Sequence, residues 1–447
     1  MTPQATLLPP THGVTELVQT LQKSRVAAGN WQALSKLERA ETLLKFAQVW
    51  QEHRLDLAAM ESEESGFSLD VSLRDSVDWV HRWLQRVVRE ILANEPKPQI
   101  LNSTLAAKDV QSAKGVFAVV TGRGFSLRSQ WERFAPALMA GNVVIAKPSR
   151  HHHRSSALAL ELWQRSSPIA DAIQHLYLGS LAEIEILCQH PTVAAVCFVG
   201  SQAVSQTLAQ SLRSSTKALS FSAGGRNSAV LLSEALAIDF SQIAETFLTN
   251  ASSTGYNPQK IYCLEKDFSD WKSVFERWCS SPFSPKDGFP KDSSTSTSTQ
   301  DQDLKFQFQQ KVHQALEEGG KVIGESSEDL HLQKPVVVYD LPYCSEMQTE
   351  EYPFPLIILN QVKYQHEFAK WINVSDSGIL TCIWGANEKA AKVANQLRTK
   401  NIFINTWIGS GESPMTAGSN SAIGESDLSP SSSLWWRRQS WCVQELK

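Results

Sequence analysis

One spacing constrains this chain more than any other feature. From Gly115 onward, short runs of β-branched and apolar residues recur, separated by stretches with helical periodicity. The runs cover residues 116–121, 142–146, 194–199, 228–232, 334–339, 356–359, 379–384 and 401–405. They are nearly continuous in apolar residues and lack the alternation of a strand with one face in water. Strands of that kind between helices predict an α/β fold, with parallel sheets covered on both faces. The runs fall into two sets, before and after a polar loop around Asn250, and this predicts two related α/β domains.

Upstream, Leu17, Leu21, Leu37, Ala40, Leu43, Leu44 and Ala47 recur at three- and four-residue spacing, and a third helical pattern spans residues 71–92. These read as a helical layer over a sheet. The chain's 447 residues suffice for two large cores. The net charge of −4, without a basic stripe, argues against a nucleic-acid partner. No apolar run approaches the roughly 18 residues that cross a membrane, and no signal peptide is evident. Seven scattered cysteines fit reduced thiols, so a cytoplasmic location is expected. His151, His152 and His153 are adjacent, which prevents all three from facing one ion. A solvated loop is the expectation there. Residues 281–303 are Ser/Thr-rich and read as a flexible insertion. Trp435, Trp436 and Trp441 in WWRRQSW read as an edge strand or an intersubunit segment.

Several blocks carry recognisable chemistry. APALMAGNVVIAKPSR spans residues 135–150, GVFAVVTGRGFSL 115–127, FVGSQAVSQTLAQ 198–210 and SFSAGGRNSAV 220–230. FLTNASSTGYNPQK spans 247–260 and TEEYPFPLI 349–357. The C-terminal INVSDSGILTCIWG (372–385) and KNIFIN (400–405) complete the set. Together with Trp31–Ala40 and the ESEESG stretch around Glu63 and Gly66, these blocks resemble the aldehyde dehydrogenase superfamily over nearly the whole chain.

The resemblance implies an aldehyde dehydrogenase-like α/β fold. A Rossmann-type dinucleotide-binding domain would span residues 1–222, with a short oligomerisation hairpin at 94–114. A second, catalytic-type domain would span 223–408, and a C-terminal return and oligomerisation segment 409–447. It implies an NAD or NADP site in which Lys147 contacts the adenosine ribose, with Ser149 beside it; the other reading of Lys147 is a strand-end residue kept for solubility. Arg150 stands at a ribose-reading position, where an arginine would suit a 2′-phosphate. Gly200 and Ser201, between a strand and a helix, would place amides near the pyrophosphate; Gly-Ser is equally a common helix cap. Glu351 aligns with a nicotinamide-ribose ligand and equally reads as a surface carboxylate. Pro353 replaces the family's nicotinamide-packing Phe.

At the reaction centre the chain departs from the pattern. The family's oxyanion-donating Asn is Gly124, its general-base Glu is Ser222, and its nucleophilic Cys is Gly255. Glycine offers no side-chain donor or nucleophile, and a serine hydroxyl does not take a proton near neutrality as a carboxylate does. Ser252, Ser253 and Thr254 lack a basic partner, and Cys263 lies in an apolar run. The expectation is a pseudoenzyme that keeps a partial NAD(P) site and acts through protein contacts, as a homodimer or with an active homologue. The alternative is an NAD(P)-dependent oxidoreductase acting on an aldehyde through a rearranged site. A subunit that binds no cofactor is a third reading.

Overall fold

The structure is a computed structural model. It describes residues 11–65, 68–93, 99–100, 105–122, 126–223, 227–248, 258–280, 299–324, 335–374, 380–399, 401–406, 422–424 and 429–444. Gly124, Gly255, Asn250, Gly66 and residues 281–298 lie outside them.

Helices α1 (Val14–Ala33), α2 (Lys36–Glu52), α3 (Arg54–Ser65), α4 (Leu69–Ser72) and α5 (Asp78–Ala93) form the N-terminal layer, with a π-helical turn at Leu73–Val77 between the last two. Strands β1 (Gln99–Ile100), β2 (Leu105–Ala113) and β3 (Val116–Thr121) follow, then α6 (Ser126–Met139), β4 (Val143–Lys147), α7 (His153–Ser166) and β5 (Ile173–His175). Next come α8 (Leu181–Gln189), β6 (Val193–Gly200), α9 (Gln202–Ser211), β7 (Ala218–Ala223) and β8 (Asn227–Leu231). The chain continues through α10 (Phe240–Leu248), β9 (Pro258–Leu264), α11 (Phe268–Ser280), α12 (Thr299–Glu317), β10 (Lys321–Ile323), β11 (Val336–Tyr339) and β12 (Leu356–Val362). It ends with α13 (Glu367–Ile372), β13 (Leu380–Trp384), α14 (Asn387–Ala394), β14 (Asn401–Ile404), β15 (Ala422–Gly424) and β16 (Trp436–Gln444).

Each apolar run read from the sequence falls on a strand. A six-stranded sheet has the order β15-β7-β6-β3-β4-β5, parallel except for β15. A seven-stranded sheet has the order β10-β11-β12-β9-β8-β13-β14, parallel except for β10. Within the first sheet β3 and β4 are buried almost throughout, as their unbroken apolar sequences require. A third, antiparallel sheet joins β1, β2 and β16. No helix among the described residues is long and apolar enough to cross a membrane.

The first sheet and the N-terminal helices share one core, rich in indoles: Trp50, Trp131 and Trp163 meet around Phe46, and Trp31 packs edge-on against Trp163. Asn142 ties distant segments into it. Its Oδ1 accepts from the amides of Lys114 and Gly115 at 2.7 and 3.0 Å, and its Nδ2 donates to the carbonyls of Ala137 and Trp435 at 3.2 and 2.8 Å. Gly141 beside it has φ +90°, and a Cβ there would crowd Arg39 and Ala113 at 3.3 Å, so the turn from α6 into β4 demands glycine.

Three expectations are corrected. Trp435 and Trp436 leave almost no surface for solvent or a second subunit. Both are buried in their own chain, Trp435 against Phe117 and Trp436 under Lys36, with indole N–H groups donating to Ser429 O and Pro430 O. Burial at home satisfies large apolar rings without a partner. β16, which starts there, is indeed an edge strand. The histidine run is not a solvated loop. His152 is buried, and His153 opens α7 with its ring against Arg150 O at 3.0 Å. Finally, α12 begins at Thr299, inside the stretch read as a flexible insertion.

Candidate functional site

In the six-stranded sheet the chain passes β3, β4, β5 to one side and then returns beyond β3 to lay down β6 and β7. The order therefore reverses between β3 and β6, and open α/β sheets bind ligands at the carboxyl ends of strands beside such a switch. The implied site residues of this sheet lie at that edge. Lys147, Val120, Phe198 and Phe221 form one row across β4, β3, β6 and β7, and Thr121, Val199 and Ser222 form the next. Three strand spacings of about 4.8 Å put Lys147 and Ser222 roughly 14 Å apart along the edge.

Lys147 ends β4 and is half-buried. Burial and the neighbouring Arg150 cation push its ammonium below the usual lysine range. Among the described residues neither Lys147 nor Arg150 has a carboxylate within ion-pair distance, and Arg150 Nε is buried without a hydrogen-bond partner. Ser149 is buried, and its carbonyl accepts from His152 N at 3.1 Å. Among the described residues the two neighbouring cations thus have no anionic partner.

Gly200 and Ser201 have visible local reasons. The Phe198 ring folds back over Gly200, where a Cβ would lie 2.7 Å from the ring. Ser201 is the N-cap of α9, its Oγ accepting from Val204 N at 3.4 Å. At the switch, Gly122 donates its amide to Val199 O at 2.8 Å. That bond extends the β3–β6 ladder by one beyond Thr121. Thr121 Oγ1 beside it is buried without a partner.

The residue at the implied base position has a definite environment. Ser222 is buried in β7, and its Oγ accepts from Arg133 Nη2 at 3.1 Å. Arg133, on α6, is itself buried; its Nη1 also donates to Ser129 O at 2.8 Å and Glu132 Oε2 at 3.1 Å, while Nε has no partner. A hydroxyl already accepting from a guanidinium is still worse placed to take a proton, because the cation opposes added positive charge. Sequence reasoning missed Arg133. Helix α6 is buried along almost its whole length yet carries Arg128, Gln130, Glu132 and Arg133, which in a lone sequence look like ordinary solvent-facing positions.

Glu61 and Glu64 on α3 were also missed. The Leu127 amide in the first turn of α6 donates to Glu61 Oε1 at 3.0 Å. Arg154 N, Ser155 N and Ser155 Oγ donate to Glu64 at 2.6, 3.1 and 2.6 Å at the start of α7. Two carboxyl groups three residues apart on one helix thus cap two others. Glu63, the acid the resemblance singled out, is more exposed and pairs with Arg154 at 2.8 Å.

Glu351 lies at the amino end of the seven-stranded sheet. The loop around it is clamped to the start of β9. Gln259 Nε2 donates to Tyr352 O at 2.5 Å, Tyr352 N donates to Gln259 Oε1 at 3.0 Å, and the buried Lys260 reaches Glu350 O at 2.9 Å. Pro353 is exposed, while Phe354 turns into the core and stacks on Phe308. Cys263 is a buried strand thiol, pushed up to about 12 by burial, and is not poised for attack. β7 ends at Ala223 and β8 begins at Asn227, so the two sheets are joined by four peptide steps, at most about 14 Å. Among the described residues no cluster of metal-ligating side chains occurs.

A family model described as the aldehyde dehydrogenase family matches residues 8–433. The chain is 23% identical over 417 residues to bovine 2-aminomuconic semialdehyde dehydrogenase, covering 89% of this chain and 84% of the relative. It is also 23% identical over 393 residues to an NADP/NAD-dependent aldehyde dehydrogenase of Escherichia coli, covering 85% and 77%. Among solved structures, an NAD+ complex of an aldehyde dehydrogenase from Bacillus cereus superposes with a TM-score of 0.86 at 17% identity, covering 96% of this chain and 89% of that one. An NADP complex of a glyceraldehyde-3-phosphate dehydrogenase from Bacillus halodurans gives 0.83 at 17%, covering 97% and 92%. With the motifs, the two parallel sheets and a family match over nearly its whole length, the chain belongs to the aldehyde dehydrogenase family.

Proposed function

We propose that this protein is a dinucleotide-binding member of the family that does not oxidise aldehydes through a covalent intermediate. The observation that carries this reading is Ser222 at the base position, buried under the Arg133 guanidinium at 3.1 Å. Gly124 and Gly255 complete the reading from sequence. Nucleophile, base and oxyanion donor act as one unit, so their joint replacement removes the reaction rather than slowing it.

The cofactor half of the reading rests on Lys147 and Arg150, two close cations at the carboxyl edge of β4 without a described carboxylate. A second anionic charge beside the ribose satisfies both, which favours NADP over NAD. Ser149, Gly200, Ser201 and Glu351 complete the proposed contacts. Related proteins carry the same cofactors: one solved structure is an NADP complex and another an NAD+ complex. Calorimetric titration tests this. NADP+ should bind more tightly than NAD+, and Arg150→Gln should weaken NADP+ by about tenfold, or ~1.4 kcal/mol, with little effect on NAD+. No heat with either dinucleotide removes this half of the proposal.

The protein's role then lies in contacts with other chains. The four residues of β14, at the rim of the seven-stranded sheet, are all only half-buried, and the outer edge of β16 is unpaired among the described residues. Open edges of this kind invite strand addition, which supports a homodimer or a pairing with an active homologue. We retain the division at residues 222 and 408 as the proposed domain boundaries. The reading of an active oxidoreductase with a rearranged site has no described base to support it.

A further inference from the structure

Helix α5 carries Trp79, Arg82, Trp83, Arg86 and Arg89 at spacings of three and four residues, so they share one face. With Gln85 they line a cavity of about 200 Å³. Its inner wall is the stacked pair Trp79 and Trp83, ring centroids 5.5 Å apart and 22° from parallel. Arg128 of α6 lies over Trp79 at 4.3 Å, so that indole is pinned from the protein side. Both rings are buried, while Arg82 and Arg89 are exposed.

Three arginines at i, i+4 and i+7 repel one another along a helix. Glu90 neutralises Arg86, at 2.5 Å. Among the described residues no carboxylate pairs with Arg82 or Arg89. The face therefore keeps two uncompensated guanidinium groups beside two fixed indoles. Guanidinium forks match the oxygens of a phosphate group, and a dianion balances both charges. Stacked indoles offer an apolar contact to a flat substituent. The cavity is small for a drug-sized ligand and holds a phosphate with one ring-sized body.

We propose that the Arg82–Arg86–Arg89 face of α5 is a binding site for a small aryl or similarly flat phosphate monoester. The site lies on a helix of the N-terminal layer and shares no residue with the proposed dinucleotide contacts. The test is calorimetry on the full chain with phenyl phosphate, inorganic phosphate and phenol. Phenyl phosphate should bind saturably, inorganic phosphate more weakly, and phenol not measurably. Arg82→Gln/Arg89→Gln should weaken phenyl phosphate at least tenfold with an unchanged melting temperature, since both side chains are exposed. Lys147→Gln should leave that affinity unaltered, which separates this site from the dinucleotide site. Absence of saturable binding, affinity unmoved in the double variant, or loss in Lys147→Gln would each overturn the assignment. So would equal affinity for phenyl and inorganic phosphate, because a charge patch alone would then explain the binding.

Discussion

Glu61→Gln should flatten the pH dependence of stability between pH 6.5 and 8. Glu61 is fully enclosed between α3 and α6, accepts the Leu127 amide with one oxygen, and has no partner for the other. Burial pushes its carboxyl up to about 8, against an ordinary value of 4.5. Between those values the folded chain holds a proton that the unfolded chain has released. Stability from this group is therefore complete below 4.5 and is lost as pH rises towards and through 8. Burial acts oppositely on His175, which is pushed down to about 4, so its contribution falls away only as pH drops below 6.5. The window from pH 6.5 to 8 thus separates the two. A shift of one unit corresponds to about 1.4 kcal/mol, and allowing for partial ionisation near 8, Glu61 should cost the wild type about 1.5 kcal/mol across that window. Glutamine keeps the acceptor for Leu127 and does not titrate. Urea unfolding followed by tryptophan fluorescence is a suitable assay, because Trp31, Trp50, Trp79, Trp83, Trp131, Trp163 and Trp435 all sit in the first core. Glu64 is also raised by burial and adds like charge beside Glu61, so the difference between the two proteins reports the Glu61 carboxyl together with that coupling. Parallel pH profiles for wild type and variant would refute the reasoning.

Two further outcomes follow from the same geometry. Ser222→Ala removes the acceptor of Arg133 Nη2 and leaves a second buried guanidinium nitrogen unsatisfied beside Nε, which should destabilise the fold by about 1–3 kcal/mol in urea titrations. An unchanged midpoint would mean that the contact contributes nothing. Among the described cysteines, Cys344 is exposed while Cys188, Cys197, Cys263 and Cys382 are buried. A thiol reagent should label Cys344 in the native state and reach Cys263 only on denaturation; native labelling of Cys263 by mass spectrometry would contradict its placement in β9.

The sheets were legible because their signal is local. A buried parallel strand must be apolar along its whole length, so residues 116–121 and 380–384 announce themselves. The placement of Lys147, Gly200 and Ser222 along one edge of the first sheet was legible for a different reason: they sit in motif blocks whose neighbours fix the register. What stayed hidden depends on partners far along the chain. β16 pairs with β2 across more than 300 residues, starting with Trp436 opposite Ala113, and only in that pairing is Trp436 seen to be core. Arg133 and Glu61 look like surface charges until α6 is seen to be enclosed, and only then does an arginine beside Ser222 become visible. Periodicity reports how much of a helix is buried; it does not report which polar side chains are buried with it.

The proposed function requires a vacated reaction centre beside a dinucleotide edge that persists. A single-turnover measurement tests it most directly: protein at high concentration, NADP+ or NAD+ in excess, a panel of aldehydes, and absorbance of the reduced cofactor followed from mixing. No reduced cofactor above a protein-free control is expected with any aldehyde. A burst equal in amount to the protein would contradict it, because it would require a nucleophile and a base that Ser222 beneath Arg133 does not supply.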